Sequence, residues 1–333
     1  MKILVVGPAW VGDMVLAQSL FKVLKQRQPD ARLEVVAPAW TLPVLARMPE
    51  VDEGIALPVG HGELALGRRV ALGRALRTRA YDRAIVLPNS FKSAIVPWVA
   101  HARRRTGFVG ELRYGILNDW RRLDEQALPR TVDRFVALGL EPNEALPPVL
   151  PEPELFADRE NTLHALNALG HAMPQGPVLG LCPGAEYGPA KRWPAEYFIE
   201  VARAKLAQGW EVWLFGSERD AAITRAIDDQ TGGRCLDLGG RTSLAEAIDL
   251  MSLATVVVSN DSGLMHIAAA LRRKLVAIYG SSDPRHTPPM SAKAKVLYLG
   301  IECSPCFARE CPLTHLNCLR HITPPQVLTA IQG

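Results

Sequence analysis

Apolar residues in this chain fall in short runs, separated by longer amphipathic stretches. Lys2-Ile3-Leu4-Val5-Val6 leads into Gly7-Pro8-Ala9-Trp10-Val11-Gly12-Asp13, and a helical repeat then runs from Met14 to Lys25. Similar runs recur at Leu33 to Ala37, Arg83 to Leu87, Val178 to Cys182, Glu211 to Phe215, Val256 to Ser259 and Leu275 to Tyr279. Short, near-continuous apolar runs fit strands buried on both faces, as in a parallel sheet. Helical patterns lie between them, for example from Ala195 to Ala207 and from Leu244 to Leu253. The alternation predicts an α/β chain of doubly wound sheets. The proline-rich stretch from Glu141 to Pro153 fits neither a helix interior nor a central strand. It reads as a linker between domains at 1–150 and 151–333.

In such sheets ligands sit at the carboxyl ends of the strands, so the polar turns there carry the chemistry. Val256 to Ser259 runs into Asn260-Asp261-Ser262-Gly263 and then into a helix starting at Leu264. Asp261 or Ser262 is a natural N-cap, and a helix opened in this way offers free N–H groups to a phosphate. An ordinary strand-to-helix turn has the same form. The first turn, Gly7 to Asp13, is G-x4-G-D, which is neither G-x-G-x-x-G nor a P-loop. Its carboxylate, Asp13, suits acid–base work or caps its own helix. The loop from Pro183 to Pro194 contains Gly184 and the adjacent cations Lys191 and Arg192, which suit a diphosphate or simply face solvent. After Phe215, Glu218 fits a ribose-binding carboxylate or a helix cap.

Composition narrows the class. With 333 residues, 48% hydrophobic and 22% charged, the chain reads as a two-domain globular protein. No apolar stretch approaches membrane-spanning length, and the first residues lack the form of a signal peptide, so a cytoplasmic location is expected. The six cysteines are then read for a reducing compartment. Cys182 and Cys235 look like core residues. Cys303, Cys306, Cys311 and Cys318 can hold a zinc ion tetrahedrally or remain free thiols, with no catalytic role in either case. The net charge of +4 owes much to arginines between positions 60 and 125, including Arg103, Arg104, Arg105, Arg113, Arg121 and Arg122, with Lys92 among them. Phe91, Trp98, Phe108, Tyr114 and Trp120 are interleaved. Such a surface suits nucleic acid, an anionic membrane or an acidic acceptor, or is a solvated helix face. No nucleic-acid-binding module surrounds it.

Gly7-Pro-Ala-Trp-Val-Gly-Asp13, Ala37-Pro-Ala-Trp40, Leu87-Pro-Asn-Ser-Phe-Lys-Ser93, Arg113-Tyr-Gly-Ile-Leu-Asn-Asp119, Lys191-Arg-Trp-Pro194, Asn260-Asp-Ser-Gly-Leu-Met-His266 and Cys303-Ser-Pro-Cys306 together carry a likeness over essentially the whole chain. The chain resembles the bacterial ADP-heptose:lipopolysaccharide heptosyltransferases, most of all those adding the second heptose. The resemblance implies a GT-B glycosyltransferase, with two Rossmann-like domains facing across a cleft. It implies an inverting transfer of L-glycero-D-manno-heptose from ADP-heptose to the first heptose of heptosyl-Kdo-lipid A, forming an α-1,3 link. Asp13 is then the general base, and Lys191 neutralises the departing diphosphate. Asp261, Ser262, Gly263, His266, Glu218 and Gly184 fall to the donor, and Lys92, Arg113, Gly12 and Trp10 to the acceptor. No cofactor or metal is required, while stimulation by Mg²⁺ is compatible with the resemblance. The implied workplace is the cytosolic face of the inner membrane, with peripheral membrane contact and no nucleic acid. A sister transferase acting elsewhere in the core, or using another nucleotide, stays open. So does a non-catalytic sugar-nucleotide binder. A dinucleotide oxidoreductase is disfavoured by the missing G-x-G-x-x-G.

Overall fold

A computed structural model describes residues 1–60 and 62–332. The chain divides into two units, Met1–Pro153 and Glu154–Gly333, three residues beyond the boundary expected from the prolines.

The first unit is built on a sheet of β1 (Lys2–Val6), β2 (Arg32–Pro38), β3 (Glu53–Leu57), β4 (Arg83–Val86), β5 (Arg104–Phe108) and β6 (Asp119–Arg121). Their spatial order is β3-β2-β1-β4-β5-β6, and every pairing is parallel. Ile3 to Val6 are almost wholly buried, as are Ala84 to Val86, as expected for central strands covered on both faces. The helix Val11–Arg27 follows β1 and packs on the helix Thr131–Gly139. Gly7 fits where a Cβ would stand 2.6 Å from the Met14 methyl carbon.

Part of the arginine-rich region is inside this unit, with Arg69, Arg83 and Arg113 buried and Arg68, Arg74, Arg77, Arg103 and Arg122 exposed. Arg104 joins Asp119 at 2.8 Å and Glu141 at 2.8 and 2.9 Å. Arg83 is buried and donates to the carbonyls of Leu138 and Gly139 at 2.8 and 2.9 Å, at the end of helix Thr131–Gly139. A cation there meets carbonyls that the helix itself leaves unpaired. The proline-rich segment is tied to the same unit, with Ser19 Oγ donating to the Pro151 carbonyl at 2.6 Å.

The second unit repeats the plan with β7 (Val178–Cys182), β8 (Glu211–Leu214), β9 (Leu236–Asp237), β10 (Val256–Asn260), β11 (Lys274–Ile278) and β12 (Ala294–Leu297). The order is β12-β11-β10-β7-β8-β9, again all parallel. Leu179, Leu181, Val212, Leu214, Val256 and Val258 pack with Trp193, Phe198 and Ile227 in its core. Both sheets reverse strand order at one place, between β1 and β4 and between β7 and β10. Open α/β sheets take ligands at that switch point.

Candidate functional site

The switch point of the second unit is held by one buried amide. Asn260, the last residue of β10, donates from Nδ2 to the Pro183 carbonyl at 2.7 Å and the Gly184 carbonyl at 3.4 Å. Its Oδ1 accepts the Trp193 N–H at 3.0 Å. The loop after β7, the loop around Trp193 and the end of β10 are thereby fixed together. Trp193 is fully buried, donates from Nε1 to the Ile322 carbonyl at 2.8 Å and meets Phe198 edge-on at 4.9 Å. This explains the Lys-Arg-Trp-Pro segment. The indole anchors the loop, Pro194 opens the helix Ala195–Ala207, and Lys191 closes the short turn Pro189–Lys191.

Lys191 Nζ donates to Asp261 Oδ2 at 2.5 Å, and Ser282 Oγ donates to the same oxygen at 2.5 Å. The ammonium also stands 5.0 Å from the centre of the Tyr187 ring. Asp261 is only 5% exposed, so the pair is screened far less than a surface ion pair. Ser262 takes the N-cap position of the helix Gly263–Ala270 without forming a side-chain cap, and its Oγ lies 3.4 Å from Ser259 Oγ. Asp261 therefore does not cap this helix. Its carboxylate is engaged by Lys191 and Ser282, while the helix start keeps its N–H groups free of a side-chain acceptor. His266, one turn further on, is buried, and its Nδ1 has no hydrogen-bond partner. Burial pushes its pKa down to about 4; Asp261 opposes this shift and Lys191 adds to it, so the ring is neutral at pH 7.

Gly184 lies against Asp220, where an added Cβ would stand 2.3 Å from the carboxyl carbon. Asp220 accepts from Ser217 N at 3.0 Å and Ser217 Oγ at 2.7 Å. The capping role open to Glu218 thus belongs to Asp220, and Glu218 is exposed. From sequence, Asn260 is part of a strand-breaking turn and Ser282 lies in another polar strand-end turn, Gly280 to Pro284, and neither has a specific role. A polar residue ending an apolar strand was the available signal for Asn260.

At the switch point of the first unit, Trp10, Gly12 and Asp13 follow β1. Asp13 is half-buried in the first turn of helix Val11–Arg27, where the helix dipole favours negative charge. Trp10 is exposed, as is Trp40 after β2, whose Nε1 donates to the Ala9 carbonyl at 2.9 Å. Beside them, after β4, Lys92 donates to the Gly62 carbonyl at 2.7 Å. Arg113 was expected to meet the acceptor but is fully buried. It donates to the carbonyls of Pro88, at 2.7 Å, and Phe108 and to Ser93 Oγ at 3.2 Å. Its burial removes it from direct ligand contact and makes it the brace of the loop carrying Lys92.

Among the described residues no three His, Cys, Asp or Glu side chains stand in metal-ligating positions, and no helix is long and apolar enough to cross a membrane. The Cys318 thiol is pushed up to about 11, by burial first and then by the nearby sulfurs of Cys303, Cys306 and Cys311.

Two six-stranded parallel sheets with this strand order are the GT-B fold of the solved heptosyltransferase structures. The family model of glycosyltransferase family 9 (heptosyltransferase) matches residues 69–317, and the chain belongs to that family. The chain is 47% identical over 308 residues to lipopolysaccharide heptosyltransferase 2 of Escherichia coli, covering 90% of this chain and 88% of that protein. It is 48% identical over 309 residues to the Salmonella typhimurium protein of the same name, with 90% and 88% covered. The solved structure of E. coli ADP-heptose lps heptosyltransferase II superposes with a TM-score of 0.89 at 43% identity, covering all of this chain and 98% of the other.

Proposed function

We propose that this chain transfers heptose from ADP-heptose to the first heptose of the lipopolysaccharide inner core, forming an α-1,3 link with inversion. The observation that carries the reading is the Lys191–Asp261–Ser282 cluster beside the uncapped start of helix Gly263–Ala270. An ammonium held in place next to free N–H groups is what a departing diphosphate requires. Near half identity to heptosyltransferase 2 proteins over nine-tenths of the chain supports the position of transfer.

Asp13 takes the proton of the attacking hydroxyl, an assistance worth about 10²–10⁴ in rate. One carboxylate suffices, because a single displacement forms no glycosyl-enzyme. Lys191 and the helix start receive the charge that develops on ADP. Asp261 orients Lys191 and is itself held by Ser282. His266, neutral and one turn into the helix, lends its imidazole to the donor, and Glu218 is assigned to the ribose. Trp10, Gly12 and Lys92 meet the acceptor, with Arg113 acting through the loop it braces. Side-chain charge and the helix end supply the electrostatics without a cofactor, and Mg²⁺ acts at most as a stimulant. An acceptor of the heptosyl-Kdo-lipid A class places the enzyme at the cytosolic face of the inner membrane.

The test is transfer from ADP-heptose to a heptose-bearing lipid A core, read by product mass, with Asp13→Asn beside the wild type. A gain of one heptose that Asp13→Asn loses while still binding ADP supports both function and base. ADP binding without any gain by the wild type on a competent acceptor moves the assignment to a sister transferase.

A further inference from the structure

The four C-terminal cysteines are spaced C-x2-C-x4-C-x6-C, and all of them line one cavity. The cavity measures about 20 Å³, and Ala190, Ser281 and His315 complete much of its wall. That is space for one small ion or water. From Tyr298 to Leu316 the backbone forms neither helix nor strand, and Phe307, Thr314 and Leu316 hold left-handed conformations. Loops of this length without regular structure are uncommon in compact units and call for something that holds them.

This loop is the outer support of the Lys191 cluster. Ala190 N–H donates to the Arg309 carbonyl at 2.9 Å, and Tyr187 Oη to the Phe307 carbonyl at 2.7 Å. Phe307 N–H donates to the Ser281 carbonyl at 2.7 Å, and Ser304 Oγ to the Gly280 carbonyl at 2.6 Å. A Cβ on Gly188 would stand 2.5 Å from the Arg309 carbonyl oxygen, so the two loops are pressed together. The cysteine loop thus backs Lys191 through its neighbour Ala190, and Ser282 through its neighbour Ser281.

We propose that Cys303, Cys306, Cys311 and Cys318 form a tetrahedral tetrathiolate site for a thiophilic divalent cation, zinc or mononuclear iron, which clasps the loop behind Lys191. None of the four is in a disulfide, and soft sulfur donors in a set of four select such ions. His315 is not a ligand. Its Nδ1 accepts the Asn317 N–H at 3.0 Å, which leaves the ring proton on Nε2. As thiols, the four side chains line the cavity without converging on one centre. One dication replaces four thiol protons and draws the sulfurs to about 2.3 Å from itself.

The experiment uses untagged full-length protein purified without chelator and analysed by elemental mass spectrometry. We expect about one zinc or iron per chain, falling to less than about 0.1 in Cys303→Ser/Cys306→Ser. Exchange into Co²⁺ is expected to give thiolate-to-cobalt charge-transfer bands. Alkylation of the wild type, mapped by residue, provides a check that needs no variant. Cys303, Cys306 and Cys311 should be protected when metal is bound and react at least tenfold faster after chelation. A folded wild type that takes up neither metal under reducing conditions overturns the proposal. So does unchanged metal content in the double variant, or labelling of these three thiols at one rate with and without metal. None of these measurements depends on ADP-heptose or on transfer.

Discussion

The two switch points spend charge in opposite ways. In the second unit a few polar side chains at the strand ends are bonded to each other, and they hold one ammonium, Lys191, among Asp261, Ser282 and the Tyr187 ring. The first unit carries 21 of the 38 Lys and Arg residues, yet Arg83, Arg104 and Arg113 are occupied by its own carbonyls and carboxylates. What its strand ends expose is aromatic, at Trp10, Trp40, Phe91 and Tyr114. A count of charges along the chain therefore does not show which cations are already paired within their own unit. A small, rigid diphosphate suits one fixed cation beside a helix start, whereas a glycolipid acceptor suits flat apolar surfaces with few polar contacts.

The largest effect belongs to the first unit. Asp13→Asn should lower turnover about 10²–10⁴-fold while ADP affinity stays within twofold. Equal losses in turnover and ADP affinity would move Asp13 from base to donor contact and blur the contrast. Next is Lys191→Ala, expected to reduce kcat/KM for ADP-heptose by about 10²–10³. Because it strands a nearly buried carboxylate, it should also cost about 3 kcal/mol of stability in urea unfolding. Adding Asp261→Asn should restore stability and leave activity low, which separates the structural part of the pair from its function.

A third prediction concerns pH. The folded pKa of His266 lies near 4, below the free value of 6.5. The unfolded chain then takes up the proton first, so stability is full above pH 6.5 and falls as pH drops to 4. The loss should amount to about 3 kcal/mol in denaturation curves taken across that window. His266→Gln should flatten this part of the pH profile. The smallest effects test the arginines. Arg113→Met removes the guanidinium from the Phe108 carbonyl and leaves the Pro88 carbonyl with only its bond from Ser93 Oγ, and about 2 kcal/mol of stability should be lost without change in ADP affinity. Arg103→Glu, at a side chain 79% exposed, should stay within about 0.5 kcal/mol. A large loss there would show that the surface cations do more than the comparison allows.

The strands with apolar runs, β1, β2, β4, β7, β8, β10 and β11, are legible in the sequence because burial on both faces writes itself as hydrophobicity. β5 is not, since Arg104 and Arg105 begin it, and what holds them there, Asp119 and Glu141 for the first and the Ile116 carbonyl for the second, comes later in the chain. β6 and β9 are too short to show a period. At the site, Lys191 and Asp261 stand out by position at strand ends. Their pairing, and the contribution of Ser282, depend on which strands lie side by side, and a linear reading of turns does not contain that. Asp220 and Glu218 show the same limit on a smaller scale. Two carboxylates in one turn look alike until Gly184 presses against one of them.

The bond from Arg83 to the end of helix Thr131–Gly139 also sets a schedule. During synthesis the strand holding Arg83 is complete long before the carbonyls that neutralise its guanidinium exist. At about 5–20 residues per second the delay is roughly 3–11 s. Throughout it the guanidinium lacks the carbonyls that it meets in the finished unit. Burial of this charge therefore waits for the last turn of a helix more than fifty residues downstream.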